Sequence, residues 1–141
     1  QTQDRLVAAV HKARQSLEWR TTYTEQEVGP DYLARSAWFE LMGPNGHLHS
    51  NQCIAFIAYW GQNLRYPWHK HEAEEIYTIV AGSAQLHVDG KEAWVAKAGD
   101  FQLHESWQPH ALTTPDAPVL TFCMWRGNEL DKNPVVLPDQ A

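Results

Sequence analysis

The stretch Tyr66-Pro67-Trp68-His69-Lys70-His71-Glu72-Ala73-Glu74-Glu75-Ile76-Tyr77 concentrates metal-ligating side chains in a 141-residue chain. Side chains of an extended strand alternate between faces, so residues of one parity share a face. His69, His71, Glu75 and Tyr77 are all odd-numbered, and the small Ala73 leaves room between them. If the segment stays extended, they project together. Imidazoles and a carboxylate are expensive to bury without partners. Their convergence inside a β domain predicts one divalent transition metal ion, of which Fe, Zn, Mn, Ni and Co all suit a His/Glu site. The fourth ligand must come from a later strand, and His110, after Pro109, is the natural candidate.

Outward from this stretch, segments 53–60, 75–81, 84–88, 92–96, 101–104, 110–114 and 118–125 read as strands, rich in β-branched and aromatic residues. Asp89-Gly90 fits a two-residue hairpin turn between two of them. Gly43-Pro44-Asn45-Gly46 reads as a turn, and the tail after Trp125 is turn-rich. Before the strands, residues 2–18 read as a helix. Leu6, Val10, Ala13 and Leu17 mark one face, and Thr2 is the candidate N-cap. Short strands without helices between them imply an all-β antiparallel sandwich or barrel. The expected organisation is an N-terminal helical segment, residues 1–31, packed on a β domain, residues 32–141.

Composition narrows the function classes. Hydrophobic residues make up 43% and charged residues 20%, as in ordinary globular proteins. The net charge is −6 and no Lys/Arg run occurs, so nucleic acid and anionic membrane are poor partners. The longest apolar run, 53–60, is too short to span a bilayer. Cys53 and Cys123 are too few for a disulfide framework and read as buried thiols in a reducing cytosol. No secretory leader pattern is visible, so a cytoplasmic location is expected. The chain starts at Gln1 rather than Met, which leaves open what precedes it.

His11, His47, His49 and His87 read as ordinary polar residues, and Glu72 and Glu74 as solvated charges. Trp38, Phe39, Phe56, Trp94, Phe101 and Phe122 read as core, because aromatics dominate β cores. Trp19 is expected to pack the helix onto the barrel. His104 shares the parity of His110 and either binds substrate or caps the pocket.

His69-x-His71-x₃-Glu75-x₆-Gly82 resembles the first cupin motif, and Gly99-Asp100 followed by Pro109-His110 resembles the second. Lys97 stands where proline is usual in that second motif. The resemblance implies a cupin double-stranded β-helix, a jelly-roll barrel. A narrower one covers about residues 38–130, through Ala58-Tyr59-Trp60-Gly61, Tyr66-Pro67-Trp68-His69, Ala73-Glu74-Glu75-Ile76-Tyr77, Gln108-Pro109-His110-Ala111 and Trp125-Arg126-Gly127. It is similar to the cupin-type dimethylsulfoniopropionate (DMSP) lyases, the DddL/DddQ group.

That resemblance implies a carbon–sulfur lyase releasing dimethyl sulfide and acrylate. His69, His71, Glu75 and His110 would bind the metal, Tyr77 would take part in proton abstraction, and Tyr66 would stand in the active site. A sulfonium has no hydrogen-bond donors, so aromatic faces suit it, at ~0.5–2 kcal/mol per contact. Trp60, Trp68, Trp107 and Trp125, with Tyr66, are the candidate substrate walls. Tyr77 as a mere barrel plug, an Fe(II) dioxygenase or sugar-acid isomerase, and a non-catalytic binding cupin are the alternatives. Cupins often dimerise, and the N-terminal helix would either cover a barrel edge or swap between subunits of a homodimer.

Overall fold

The computed structural model describes residues 2–138. Helix α1 (Thr2–Ala13) is followed by short helices α2 (Glu25–Val28) and α3 (Pro30–Arg35), the latter straddling residue 31. Ten strands follow: β1 (Ser36–Gly43), β2 (Leu48–His49), β3 (Cys53–Trp60), β4 (Arg65–Lys70), β5 (Glu74–Val88), β6 (Trp94–Lys97), β7 (Phe101–His104), β8 (His110–Thr113), β9 (Val119–Arg126) and β10 (Val135–Val136). They hydrogen-bond in the order β10-β4-β8-β5-β9-β3-β1-β2, with β6 and β7 also pairing with β5. The mostly antiparallel sheet curls into a half-open jelly roll, as expected.

Strand β5 joins the two walls. Its first half pairs with β7 and β9, its second half with β6 and β8. Segments expected as two strands, 75–81 and 84–88, are therefore one element with a corner. The corner is a β-bulge between Ile79 and Ala81, followed by Gly82 at φ +75°. One extra residue reverses which parity faces inward. Glu75, Tyr77 and Ile79 are buried before the bulge, and Ala84, Leu86 and Val88 after it. A Cβ at Gly82 would lie 1.8 Å from the Pro118 carbonyl oxygen, so only glycine fits where β5 passes β9. Ile79, Leu86, Leu112 and Val119 are fully buried around this corner.

Three local expectations are corrected. Helix α1 ends at Ala13 instead of 18, because the Ser16 amide and hydroxyl both bond the Ala13 carbonyl and turn the chain. Asp89-Gly90 does form a turn, closed by Lys91 N–H to the Val88 carbonyl, with Gly90 at φ +77°. Val88, however, pairs with His110 of β8, so β6 begins only at Trp94 and residues 89–93 form a loop. Residues 66–77 are not one extended strand: β4 ends at Lys70, residues 71–73 turn, and β5 starts at Glu74.

Thr114 anchors the entry to β4. Its hydroxyl donates to the Gly61 carbonyl at 2.6 Å and accepts from the Leu64 amide at 2.9 Å. Trp19 packs edge-on against Phe39 of β1, 5.0 Å between ring centres. Cys53 and Cys123 are free thiols. Among the described residues no helix is long and apolar enough to cross a membrane.

Candidate metal centre

His69 on β4, His71 just beyond it, Glu75 on β5 and His110 on β8 meet between the walls of the jelly roll, all at most 5% exposed. Two strands and a turn bring together what one extended strand was expected to present. Tyr66 and His69 differ in parity but lie together, because the β4–β8 register shifts between them, across Pro67. The Tyr66 ring stacks on the His69 ring, centres 3.8 Å apart.

Proton placement in the cluster follows from its backbone contacts. His69 Nδ1 lies 2.8 Å from the Pro67 carbonyl, His71 Nδ1 2.9 Å from that of Ala73, and His110 Nδ1 2.8 Å from that of Gln108. Carbonyl oxygens only accept, so each Nδ1 carries a proton and each ring turns its Nε2 inward. His71 Nε2 then faces Glu75 Oε2 at 3.1 Å, and His110 Nε2 faces the same oxygen at 3.2 Å. His110 Nε2 is buried without a hydrogen-bond partner. A ring nitrogen that close to a carboxylate oxygen needs a cation or a proton between the two. The donor atoms of His69, His71 and His110 lie within 4.8 Å of one another, as do those of Glu75, His104 and His110. This donor set fits a divalent transition ion.

Neighbours aim the carboxylate. Trp125 Nε1 donates to Glu75 Oε1 at 2.6 Å, and the Trp125 ring stacks on His71 at 4.2 Å. His104 Nδ1 lies 3.3 Å from Oε2, with its ring stacked on His110 at 3.8 Å. His104 thus supports Glu75 from behind, the arrangement outer-shell partners take around metal ligands. Desolvation opposes ionisation of Glu75, yet the imidazoles of His104, His110 and His71 around it outweigh that cost and hold the carboxyl well below its usual value. Burial, reinforced by the neighbouring His110, keeps His69 well below the usual imidazole value and brings His104 down to about 4. Neutral imidazoles and an ionised carboxylate are the forms a metal requires.

His69, His71 and Glu75 of the cluster line a cavity of about 290 Å³, with His110 behind them. Tyr66, Tyr77, Trp60 and Trp125 line it. Tyr77 packs edge-on against His104, 4.7 Å between centres, and burial, with the Glu75 charge adding, pushes its phenol well above the usual value. Trp68 and Trp107 are not among the lining residues. Trp68 packs edge-on against His87 on the other face of β4, while Trp107 is 46% exposed beneath Lys70. The Trp107 amide donates to the His71 carbonyl at 2.8 Å, so this residue acts on the site through its backbone.

Several lining residues were not anticipated. Trp38 and Phe56, expected as core, face the cavity, as does Glu40. Their even parity on paired strands β1 and β3, shared with Trp60, was the available signal. Tyr23 and Tyr32 come from the N-terminal segment; the hydroxyl of Tyr23 bonds that of Tyr66, and the hydroxyl of Tyr32 accepts from Trp60 Nε1 at 3.0 Å.

Comparison with known proteins identifies the family and agrees with the fold. The DMSP lyase family model matches residues 1–121. DMSP lyase DddQ of Ruegeria pomeroyi is 38% identical over 119 residues, 84% of this chain and 59% of the relative. A putative DMSP lyase, DddL of Cereibacter sphaeroides, is 32% identical over 116 residues, 80% of this chain and 47% of the relative. The chain therefore spans between about half and three-fifths of these curated relatives. A crystal structure described with the DMSP lyases RdDddP and RnDddQII matches with a TM-score of 0.93 at 39% identity, over 96% of this chain and 70% of that one. A cupin-like protein of Thermotoga maritima, 17% identical, matches with a TM-score of 0.62 over 72% of this chain and 75% of that one, a likeness of fold alone. On a cupin barrel, and with the family model matching most of its length, the chain belongs to the DMSP lyase family.

Proposed function

We propose that this chain is a metal-dependent carbon–sulfur lyase that cleaves DMSP into dimethyl sulfide and acrylate by tyrosine-assisted β-elimination. The observation that carries the reading is the convergence of the imidazole nitrogens of His69, His71 and His110 with Glu75 Oε2 beside a cavity that Tyr66 and Tyr77 line. The named DMSP lyases among its relatives support the choice of substrate.

His69, His71, Glu75 and His110 would hold one divalent ion. When bound, that ion supplies Lewis acidity for the substrate carboxylate and favours the phenolate of a neighbouring tyrosine. The protein residues do the rest. Tyr77, as phenolate, removes a proton from the carbon next to the substrate carboxylate. The electron pair left behind forms the carbon–carbon double bond, and the Cβ–S bond breaks with its pair going to sulfur. The cationic sulfonium thus leaves as neutral dimethyl sulfide, and acrylate and one proton remain.

Burial raises the Tyr77 phenol, so it serves as a base only with positive charge nearby. Tyr66 is fixed by stacking on His69 and by the Tyr23 hydroxyl, and it closes the cavity beside the reacting carbons. Trp60 and Trp125 wall the same space and exclude water from it.

Gas chromatography of the headspace tests the reading. Metal-loaded chain given DMSP should release dimethyl sulfide together with an equal amount of acrylate. Metal-replete protein that releases neither overturns it.

A further inference from the structure

Among the residues that line the cavity, Glu40 holds a buried carboxylate oxygen without a hydrogen bond. Glu40 lies on β1 directly across from Phe56 of β3, and both face the cavity. Its side chain is 3% exposed and its Oε2 has no hydrogen-bond partner. Arg20 Nη1 comes only to 3.7 Å from Oε2, and this guanidinium also serves Glu18 at 3.2 Å and the Asn45 carbonyl at 2.9 Å. Space is reserved for the carboxylate, since a Cβ at Gly43 would lie 2.5 Å from Glu40 Oε1. A buried carboxylate oxygen with no hydrogen bond and only a shared guanidinium at 3.7 Å is costly, and a second cation beside it offsets that cost.

The surroundings specify the kind of cation. Trp38 and Phe56 stand edge to face, centres 5.7 Å apart, and Phe56 meets Trp125 in the same way at 5.9 Å. Trp125 bonds Glu75, so aromatic rings line the cavity from Glu40 to the histidine cluster. An ammonium with N–H donors would seek oxygen acceptors. A methylated onium offers none and is held by π faces and a nearby negative charge.

We propose that Glu40, flanked by Trp38 and Phe56, is a cation subsite that receives the onium end of a substrate whose carboxylate lies at the histidine end. The inference deepens the lyase reading and rests on it for the orientation of the substrate. It makes Glu40 a specificity-determining residue that prefers short zwitterions with a fully methylated cationic head.

Calorimetry with two unreactive ligands of equal shape tests it on the metal-loaded chain. 3-(Trimethylammonio)propionate and 4,4-dimethylpentanoate differ only in the positive charge. The unsubstituted protein should bind the cationic ligand roughly tenfold or more tightly than the neutral one. Glu40→Gln should bring that ratio close to one while leaving the neutral ligand within about twofold. If Glu40→Gln melts early, Phe56→Leu provides the second reading and should shrink the ratio several-fold. A ratio unchanged by these substitutions, a ratio near one before them, or binding of neither ligand overturns the subsite. Because no bond is broken, the outcome is separate from turnover. A Glu40-dependent charge preference without dimethyl sulfide release refutes the lyase reading alone, and dimethyl sulfide release with a Glu40-independent ratio refutes the subsite alone.

Discussion

Replacing Trp125 by phenylalanine tests how the Glu75 carboxylate is aimed. Trp125 Nε1 donates to Glu75 Oε1 at 2.6 Å while its ring covers His71 at 4.2 Å. Phenylalanine keeps an aromatic ring against the histidine and removes the donor. A hydrogen bond to a charged group contributes about 1.5–3 kcal/mol. At about 1.4 kcal/mol per decade this corresponds to roughly 10- to 100-fold weaker metal binding, the range found when outer-shell partners of metal ligands are removed. His104 still contacts Oε2, so Glu75 keeps one partner and the loss should fall toward the lower end. Competition against a chromophoric chelator at fixed neutral pH measures the change, with far-UV circular dichroism and a thermal melt verifying the fold. A folded Trp125→Phe protein with unaltered metal affinity would refute the reasoning.

Tyr77→Phe should retain the metal and lose about 10²–10⁴-fold in turnover, the usual loss on removing a general base; near-normal release of dimethyl sulfide would assign the proton to another residue. Acid should destabilise the chelator-treated protein. His104 falls to about 4 when folded, against about 6.5 unfolded, so between those values the unfolded chain binds the extra proton. Stability therefore drops as pH falls from about 6.5 toward 4, by up to about 1.4 kcal/mol per pH unit for this histidine, and His69 acts in the same direction. A urea midpoint that stays flat across that window contradicts the burial argument. Gly82→Ala should cost several kcal/mol, on the order of 3 or more, because φ is +75° and the new Cβ meets the Pro118 carbonyl at 1.8 Å; an unshifted urea midpoint would contradict the tight corner.

The part of the site legible in the sequence is the part written as short spacing. His69, His71 and Glu75 lie within seven residues, and His110 follows a proline, so the grouping survives even though the chain turns at 71–73. Tyr66 broke the parity rule because the register shift across Pro67 re-aims it, a deviation that alternation alone does not contain. Trp68 and Trp107 were grouped with the cavity by nearness in sequence, yet a strand sends neighbours to opposite faces, and Trp68 follows that rule outward. Trp38, Phe56 and Glu40 depend on which faces of β1 and β3 turn inward, and Tyr23 on how the N-terminal segment crosses the barrel mouth. Both are tertiary facts. Composition could assign the aromatics only to a core, and in this barrel the inner wall and the cavity lining are the same surface.

The most direct measurement is the metal content of the chain after anaerobic reconstitution and desalting. The account predicts one divalent ion per chain, abolished when His71 and His110 are both replaced by alanine in protein that remains folded. A chain that holds no stoichiometric metal, or a double variant that holds as much as the parent, would contradict the convergence of His69, His71, Glu75 and His110 on a shared ion.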